Sequence, residues 1–163
     1  MILYIIRHAW AADPSDPTWS DDRRPLTEEG RKRFAEMVRK LAGRGFAPEQ
    51  IATSPLVRCV QTAQIIAEQL GDPKMVVPLE ALAPESNLGE LIAWTNREWG
   101  KCRQVAWVGH VPDVGAMTGA LIANSHASIR FAKGAIAAVE FDGPVQLRIG
   151  ELQWLVSARV LNC

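Results

Sequence analysis

The chain has 163 residues, 48% of them hydrophobic, and its basic and acidic side chains cancel to a formal net charge of +0. That length suits one well-buried core and is short for two ordinary domains, so residues 1–163 are expected to form a single domain. The charge balance argues against a nucleic-acid or membrane-surface partner. Three cysteines (Cys59, Cys102 and Cys163) without a CxxC spacing point to reduced thiols and a cytoplasmic setting. The apolar run Ile2–Ile6 meets Arg7 at once, too soon for a signal peptide or a membrane span.

Taken in chain order, Ile2–Ile6 reads as a central strand covered on both faces. Residues 9–26 hold three prolines and two tryptophans without periodicity, a long loop of the kind that carries function or disorder. Thr27 is an N-cap for a helix over Glu28–Ala42, with Phe34, Met37, Val38 and Leu41 as its apolar stripe and Gly43 and Gly45 at its end. Ile51–Ser54 is a second strand. Pro55 suits the first turn of a helix running to Leu70, with Leu56, Val60, Ala63, Ile66, Ala67 and Leu70 inward and Gly71 as its stop. Met75–Val77 is a third strand, Leu82–Asn87 a polar loop, and Gly89–Trp99 a helix. Val105–Val108 is a strand closed by Gly109 and His110, and Pro112 opens a helix to Ile122. Ile136–Phe141, Val145–Ile149 and Leu152–Val156 read as closing strands. Alternating strands and helices imply an α/β fold of three layers, α/β/α, with a mostly parallel central sheet.

Ligands of open α/β sheets bind beyond the carboxyl ends of the strands. The first strand ends in Arg7-His8 and the fourth in His110, while Arg58 lies near the start of the helix after the second. Two of the chain's three histidines thus occupy corresponding strand-to-helix turns. Arginine is a permanently charged fork suited to phosphate, histidine a nucleophile near neutral pH, and a helix N-terminus favours anions. The pattern is a phosphate pocket with a reactive nitrogen inside it.

Arg7-His8-Ala9, the segment Thr53–Ala63 and Val108-Gly109-His110 resemble the ordered signatures of the histidine phosphatase superfamily. Arg24-Pro25-Leu26-Thr27-Glu28-Glu29-Gly30 is similar to the corresponding stretch of its compact SixA-type phosphohistidine phosphatases. The resemblance implies a phosphoglycerate mutase-like fold and a covalent phosphohistidine intermediate. His8 would be the nucleophile, Arg7 and Arg58 would clamp phosphoryl oxygens, and His110 would donate to them. Arg24 and Glu85 are candidate substrate-binding residues, Arg24 either reaching the phosphate or pairing with Asp21 or Asp22. No metal or cofactor is implied. Many relatives carry a glutamate as proton donor two residues after the leucine that follows the third strand. Here Leu82-Ala83-Pro84 puts proline there, with Glu85 one place on. An imidazole, with a pKa of about 6.5, leaves phosphorus far more readily than an alkoxide, so losing that acid favours a phosphohistidine protein as substrate.

The competing readings are a small-molecule phosphomonoester phosphatase, a phosphoglycerate mutase, and a non-catalytic phospho-ligand binder, which would have no use for His8. A cysteine phosphatase needs an arginine six residues after its thiol, whereas Ile65 and Val108 stand there for Cys59 and Cys102. A metal site built from His8, Asp13, His110 and Asp113 would leave Arg7 beside the cation. His126 reads as loop, and Trp94, Trp99, Trp107 and Trp154 as packing. Trp10 and Trp19 bracket the long loop, either packing it or lining the pocket mouth.

Overall fold

A computed structural model describes residues 1–98, 100–123 and 127–163, so Trp99 and His126 lie outside the described residues. Strand β1 (Ile2–Arg7) leads through the long loop to α1 (Glu28–Ala42), followed by β2 (Gln50–Thr53) and α2 (Val57–Leu70). Next come β3 (Val76–Pro78), α3 (Leu88–Arg97), β4 (Gln104–Gly109), α4 (Asp113–Ile122), β5 (Ile136–Glu140) and β6 (Glu151–Val156). They form one six-stranded sheet of order β3-β2-β4-β1-β5-β6. β1 to β4 are mutually parallel, and β5 runs antiparallel to β1 and to β6. The expected three-layer, mostly parallel architecture is present.

Strand periodicity assembles the layers. Tyr4 and Ile6, with Ala106 and Val108, pack against Phe34, Met37 and Val38 of α1 and Ala63 and Ile66 of α2. Leu3 and Ile5, with Val105 and Trp107, pack against Leu91 of α3 and Val114, Met117 and Leu121 of α4. Both faces of β1 and β4 are therefore dry, which is why these strands read as unbroken apolar runs. The chain leaves β1 for the α1–α2 face and leaves β4 for the α3–α4 face. The crevice between these two strand ends is thus a topological switch point.

Several sequence expectations shift. Val145–Ile149 forms no strand. Asn96 of α3 bonds both backbone groups of Val145, its Nδ2 donating to the carbonyl at 2.9 Å and its Oδ1 accepting the N–H at 2.8 Å. The N–H groups of Arg148 and Gly150 donate to Ala120 and Leu121 at the end of α4, so the segment is bonded to helices and not to the sheet. Met75 closes a 3-10 turn, and β3 begins at Val76. Pro55 precedes α2, whose first residue is Val57, and Pro112 flanks α4 as its N-cap. The buried face of α2 carries Arg58, Cys59, Thr62, Ala63, Ile65, Ile66 and Ala67, while Leu56, Val60 and Leu70 are only half-buried. That face has turned toward the strand tips, bringing polar Arg58 and Thr62 inside.

The long loop is held at its neck. Ala11 and Leu26 form an antiparallel bridge, the Thr27 N–H donates to the Trp10 carbonyl at 2.9 Å, and the Leu26 N–H donates to Gln61 of α2 at 2.8 Å. Trp10 packs under the Arg33 guanidinium, 4.4 Å from its ring centroid, and against Gly134, so it secures the loop by packing. Trp19 is exposed. Gly30 makes the neck possible, since a Cβ there would lie 2.5 Å from the Trp10 carbonyl oxygen.

Replacing Gly30 by alanine sets a gain in helix propensity of roughly 0.5–1 kcal/mol against an overpacking penalty of about 1–3 kcal/mol. The clash is with backbone, which cannot turn aside as a side chain can, so the penalty wins. Gly30→Ala is expected to lower stability in equilibrium urea unfolding, and a midpoint equal to or above the parent's would contradict this packing account.

Candidate active site

His8 continues the β1–β4 ladder one residue past the strand, its N–H donating to the Gly109 carbonyl at 3.0 Å. Arg7 pairs with Gly109 in register, so His8 and His110 emerge side by side with ring centroids 5.4 Å apart. From the neighbouring strand end, Ser54 and the start of α2 complete the crevice. Arg58 is the second residue of α2, within its first turn. Thr62 ties α2 to the first signature, accepting the Ala9 N–H at 3.0 Å and donating to the Arg58 carbonyl at 2.7 Å.

His8 is buried, with Nδ1 lying 2.8 Å from the carbonyl oxygen of its neighbour Ala9. A carbonyl can only accept, so Nδ1 carries the proton and Nε2 keeps its lone pair. Burial pushes the ring pKa down to about 3, with Arg58, His110 and Arg7 adding to that shift against the Ala9 bond. The ring is neutral across the physiological range and keeps its Nε2 lone pair.

His110 is buried too, and its pKa falls to about 4, mainly by desolvation and then by the Arg58 charge. Its Nδ1 lies 3.3 Å from Arg58 Nη2, and its Nε2 lies 2.8 Å from Ser54 Oγ. Arginine has only donors, so Nδ1 accepts and Nε2–H donates to Ser54. Cys59 fills the space beside this ring, Sγ lying 3.5 Å from Nε2. Burial raises its thiol to about 12, so it supplies no thiolate near neutral pH.

The two arginines hold the remaining signal. Arg7 Nη1 donates to the Phe131 carbonyl at 2.9 Å, and Arg58 donates to Asp21 and His110. Their Nε atoms are the buried side-chain polar atoms without a partner among the described residues. Buried donors are almost always satisfied, so two orphans on arginines whose charges act on His8 make this a candidate anion-binding position. A tetrahedral oxyanion there meets permanent cations and the N-terminal end of α2.

Arg7, His8, Arg58 and His110 thus converge. Arg24 is not on the same footing, because its Nε and Nη2 bond Asp21 at 3.0 and 2.7 Å and its Nη1 bonds the Ala12 carbonyl. Glu85 is exposed, and no hydrogen bond or ion pair among the described residues joins its side chain to that cluster. Its backbone has φ 69°, and Asp113 at the head of α4 accepts the Glu85 and Ser86 N–H groups at 3.0 and 3.2 Å. Ser54 and Thr62 are site-building residues that sequence reasoning missed, while Asp21 was read only as a partner for Arg24, which it is, and Asp113 only as a ligand of a rejected metal site. Thr62 and Ser54 lie inside the second signature, but Asp21 had no signal beyond its proximity to Arg24.

Residues 3–120 match the family model of the histidine phosphatase superfamily, branch 1. An uncharacterized protein of Picosynechococcus is 41% identical over 71% of this chain and 69% of its own length. The phosphohistidine phosphatase SixA of Escherichia coli is 29% identical over 87% of this chain and 86% of its own. A solved structure of the protein histidine phosphatase SixA complexed with tungstate superposes with a TM-score of 0.83, at 29% identity, covering 99% of both chains. The signatures, the sheet order and these likenesses agree: the chain belongs to the histidine phosphatase superfamily and is of the SixA type.

Proposed function

We propose that residues 1–163 act as one cytoplasmic, metal-independent phosphatase domain whose substrate is a protein phosphohistidine and whose covalent carrier is His8. The observation that carries this reading is a buried imidazole, fixed by Ala9 as the Nδ1–H tautomer, between two arginines with unspent Nε donors. In the first step the Nε2 lone pair bonds phosphorus while the P–N bond to the substrate's imidazole breaks. That ring leaves as neutral imidazole when its other nitrogen already holds a proton. In the second step water adds to phosphorus, the P–Nε2 bond breaks, and the water's proton stays with the phosphate. Nδ1–H remains on Ala9 throughout. Arg7 and Arg58 bind the equatorial oxygens, where charge must be held in the transition state.

His110 needs one change for its role as donor, because both of its ring nitrogens are engaged. A phosphoryl dianion offers Arg58 a stronger partner than an imidazole and favours the protonated ring. Once protonated, Nδ1 gives up its 3.3 Å contact with Arg58 and can donate as well. The choice of phosphohistidine is supported by Pro84 at the usual acid position and by the exposed, separately held Glu85. A leaving imidazole needs no such acid, whereas a sugar alkoxide does.

The purified protein and His8→Ala should be compared on a phosphohistidine protein and on a panel of phosphate esters, without added metal. We expect phosphohistidine turnover that vanishes in His8→Ala and falls by about 10²–10³ in kcat in Arg58→Ala. Ester turnover alone would overturn the substrate, activity surviving His8→Ala would overturn the mechanism, and no turnover of either class would overturn the enzyme reading.

The proton inventory gives a second check. The folded pKa values of His8 and His110 lie below the ordinary imidazole value, so the unfolded chain binds more protons between about pH 3 and 6.5. Stability therefore falls as pH drops through that window, and both rings stay neutral above it. In nuclear magnetic resonance titrations of the free protein, the His8 and His110 ring signals should stay flat from about pH 5 to 8. A midpoint near the ordinary imidazole value for either ring would contradict the buried, neutral assignment.

A further inference from the structure

The loop between β1 and α1 reaches the anion site through one acidic residue. Asp21 Oδ1 accepts from Arg24 Nη2 at 2.7 Å and Nε at 3.0 Å, and its Oδ2 accepts from Arg58 Nη2 at 3.1 Å. The Asp21 carbonyl also accepts from Arg58 Nη1. The two guanidinium groups are therefore bridged by a single carboxylate, which they hold ionised, Arg24 being the larger influence.

The use of donors differs sharply between the two arginines. Every nitrogen of the Arg24 fork has a partner in the loop, its last being the Ala12 carbonyl at 2.8 Å. Arg58 is bound along its Nη side, while its buried Nε has no partner among the described residues. The Arg58 side chain is 5% exposed and that of Asp21 is 65% exposed, so a surface carboxylate fastens a buried cation from behind. A planar fork held by its Nη groups cannot swivel, and its remaining donor points in one direction. Arg24 in turn fixes the carboxylate with a bidentate pair, the geometry in which an arginine adds direction as well as charge.

We infer that Asp21 is a positioning residue that aims Arg58 at the phosphoryl group, and that Arg24 acts through Asp21 and not on the phosphoryl group itself. The inference deepens the phosphatase reading and rests on it, and it reverses the direct phosphate contact that the sequence allowed for Arg24. The long loop thereby gains a role. Its turn Asp21–Arg23 delivers the carboxylate, and the bridge between Ala11 and Leu26 holds the loop closed behind it.

The test is a double-mutant cycle on the full chain, with tungstate and inorganic phosphate binding as the readout. Binding requires no turnover, so a protein that binds oxyanion but hydrolyses nothing would overturn the phosphatase reading while leaving this inference testable. Asp21→Asn and Arg24→Gln should each weaken binding by about tenfold, the loss expected for a charge-assisted bond. The double variant should be no weaker than the worse single, and Asp21→Glu should restore most of the affinity. With a turnover assay, kcat should fall more than KM rises, because Arg58 matters most where charge develops. Additive losses would place Arg24 on the anion and overturn the inference, as would unchanged or tighter binding by Asp21→Asn. Should Asp21→Asn fail to melt cooperatively, Arg24→Gln is made in an Arg58→Ala background. There its effect should disappear, and its persistence would overturn the inference.

Discussion

The parallel pairing of β1 with β4 is the constraint on which the remaining features depend. Its register runs from Ile2 opposite Gln104 to Arg7 opposite Gly109, and the His8 N–H extends it by one more bond. A one-residue slip would turn every side chain of β1 to the other face. Tyr4 and Ile6 would leave the α1–α2 layer, Leu3 and Ile5 would leave the α3–α4 layer, and both dry cores would be lost. The register that satisfies the cores also seats His8 beside His110 at the switch point. Burial far from the chemistry thus fixes the spacing of the two rings to within the tolerance of a packed interior.

The site concentrates positive charge where little water reaches, and the fold answers with ordered acceptors. Arg7 leans on the Phe131 carbonyl, and Arg58 on Asp21 and on the His110 ring. Each acceptor takes the outer side of its fork and leaves the buried Nε unspent. The same cations, together with desolvation, keep both histidines neutral. One electrostatic arrangement therefore does two things: it leaves two buried donors unspent, and it preserves the Nε2 lone pair of His8.

How far the sequence carried this structure follows from what each residue answers to. Strand tips were legible because an arginine or histidine ending an apolar run breaks the reward for burial, as at Arg7, His8 and His110. The α1 boundaries were legible because Thr27 caps the helix locally, its Oγ1 accepting the Gly30 N–H at 3.0 Å. The inward face of α2 was harder, because Arg58 and Thr62 are buried for their bonds and an apolar count assigns them to the surface. Val145–Ile149 had a strand's composition, but the Asn96 amide lies 49 positions away in the chain, beyond any local pattern. Asp21 was legible as a partner for Arg24, but its contact with Arg58 was hidden for a similar reason. A loop aspartate looks like any solvated acid until a helix start 37 residues on places Arg58 against it.

The low proton affinity of His8 bears on what becomes of a phosphoryl group it receives. A less basic nitrogen is a weaker nucleophile toward phosphorus and a better leaving group from it. Under the proposed two-step reaction, burial of His8 hinders the first step and speeds the second. The first step is the one that positioning can repair, since the arginines hold the phosphoryl group in line with Nε2 and convert an encounter into an intramolecular event. The second step must recruit water, and there the labile P–N bond helps most. A mutase has the opposite need: its phosphoryl-enzyme must outlast the exchange of one sugar acid for another without losing the group to water. A desolvated, weakly basic His8 suits disposal of the phosphoryl group better than its storage.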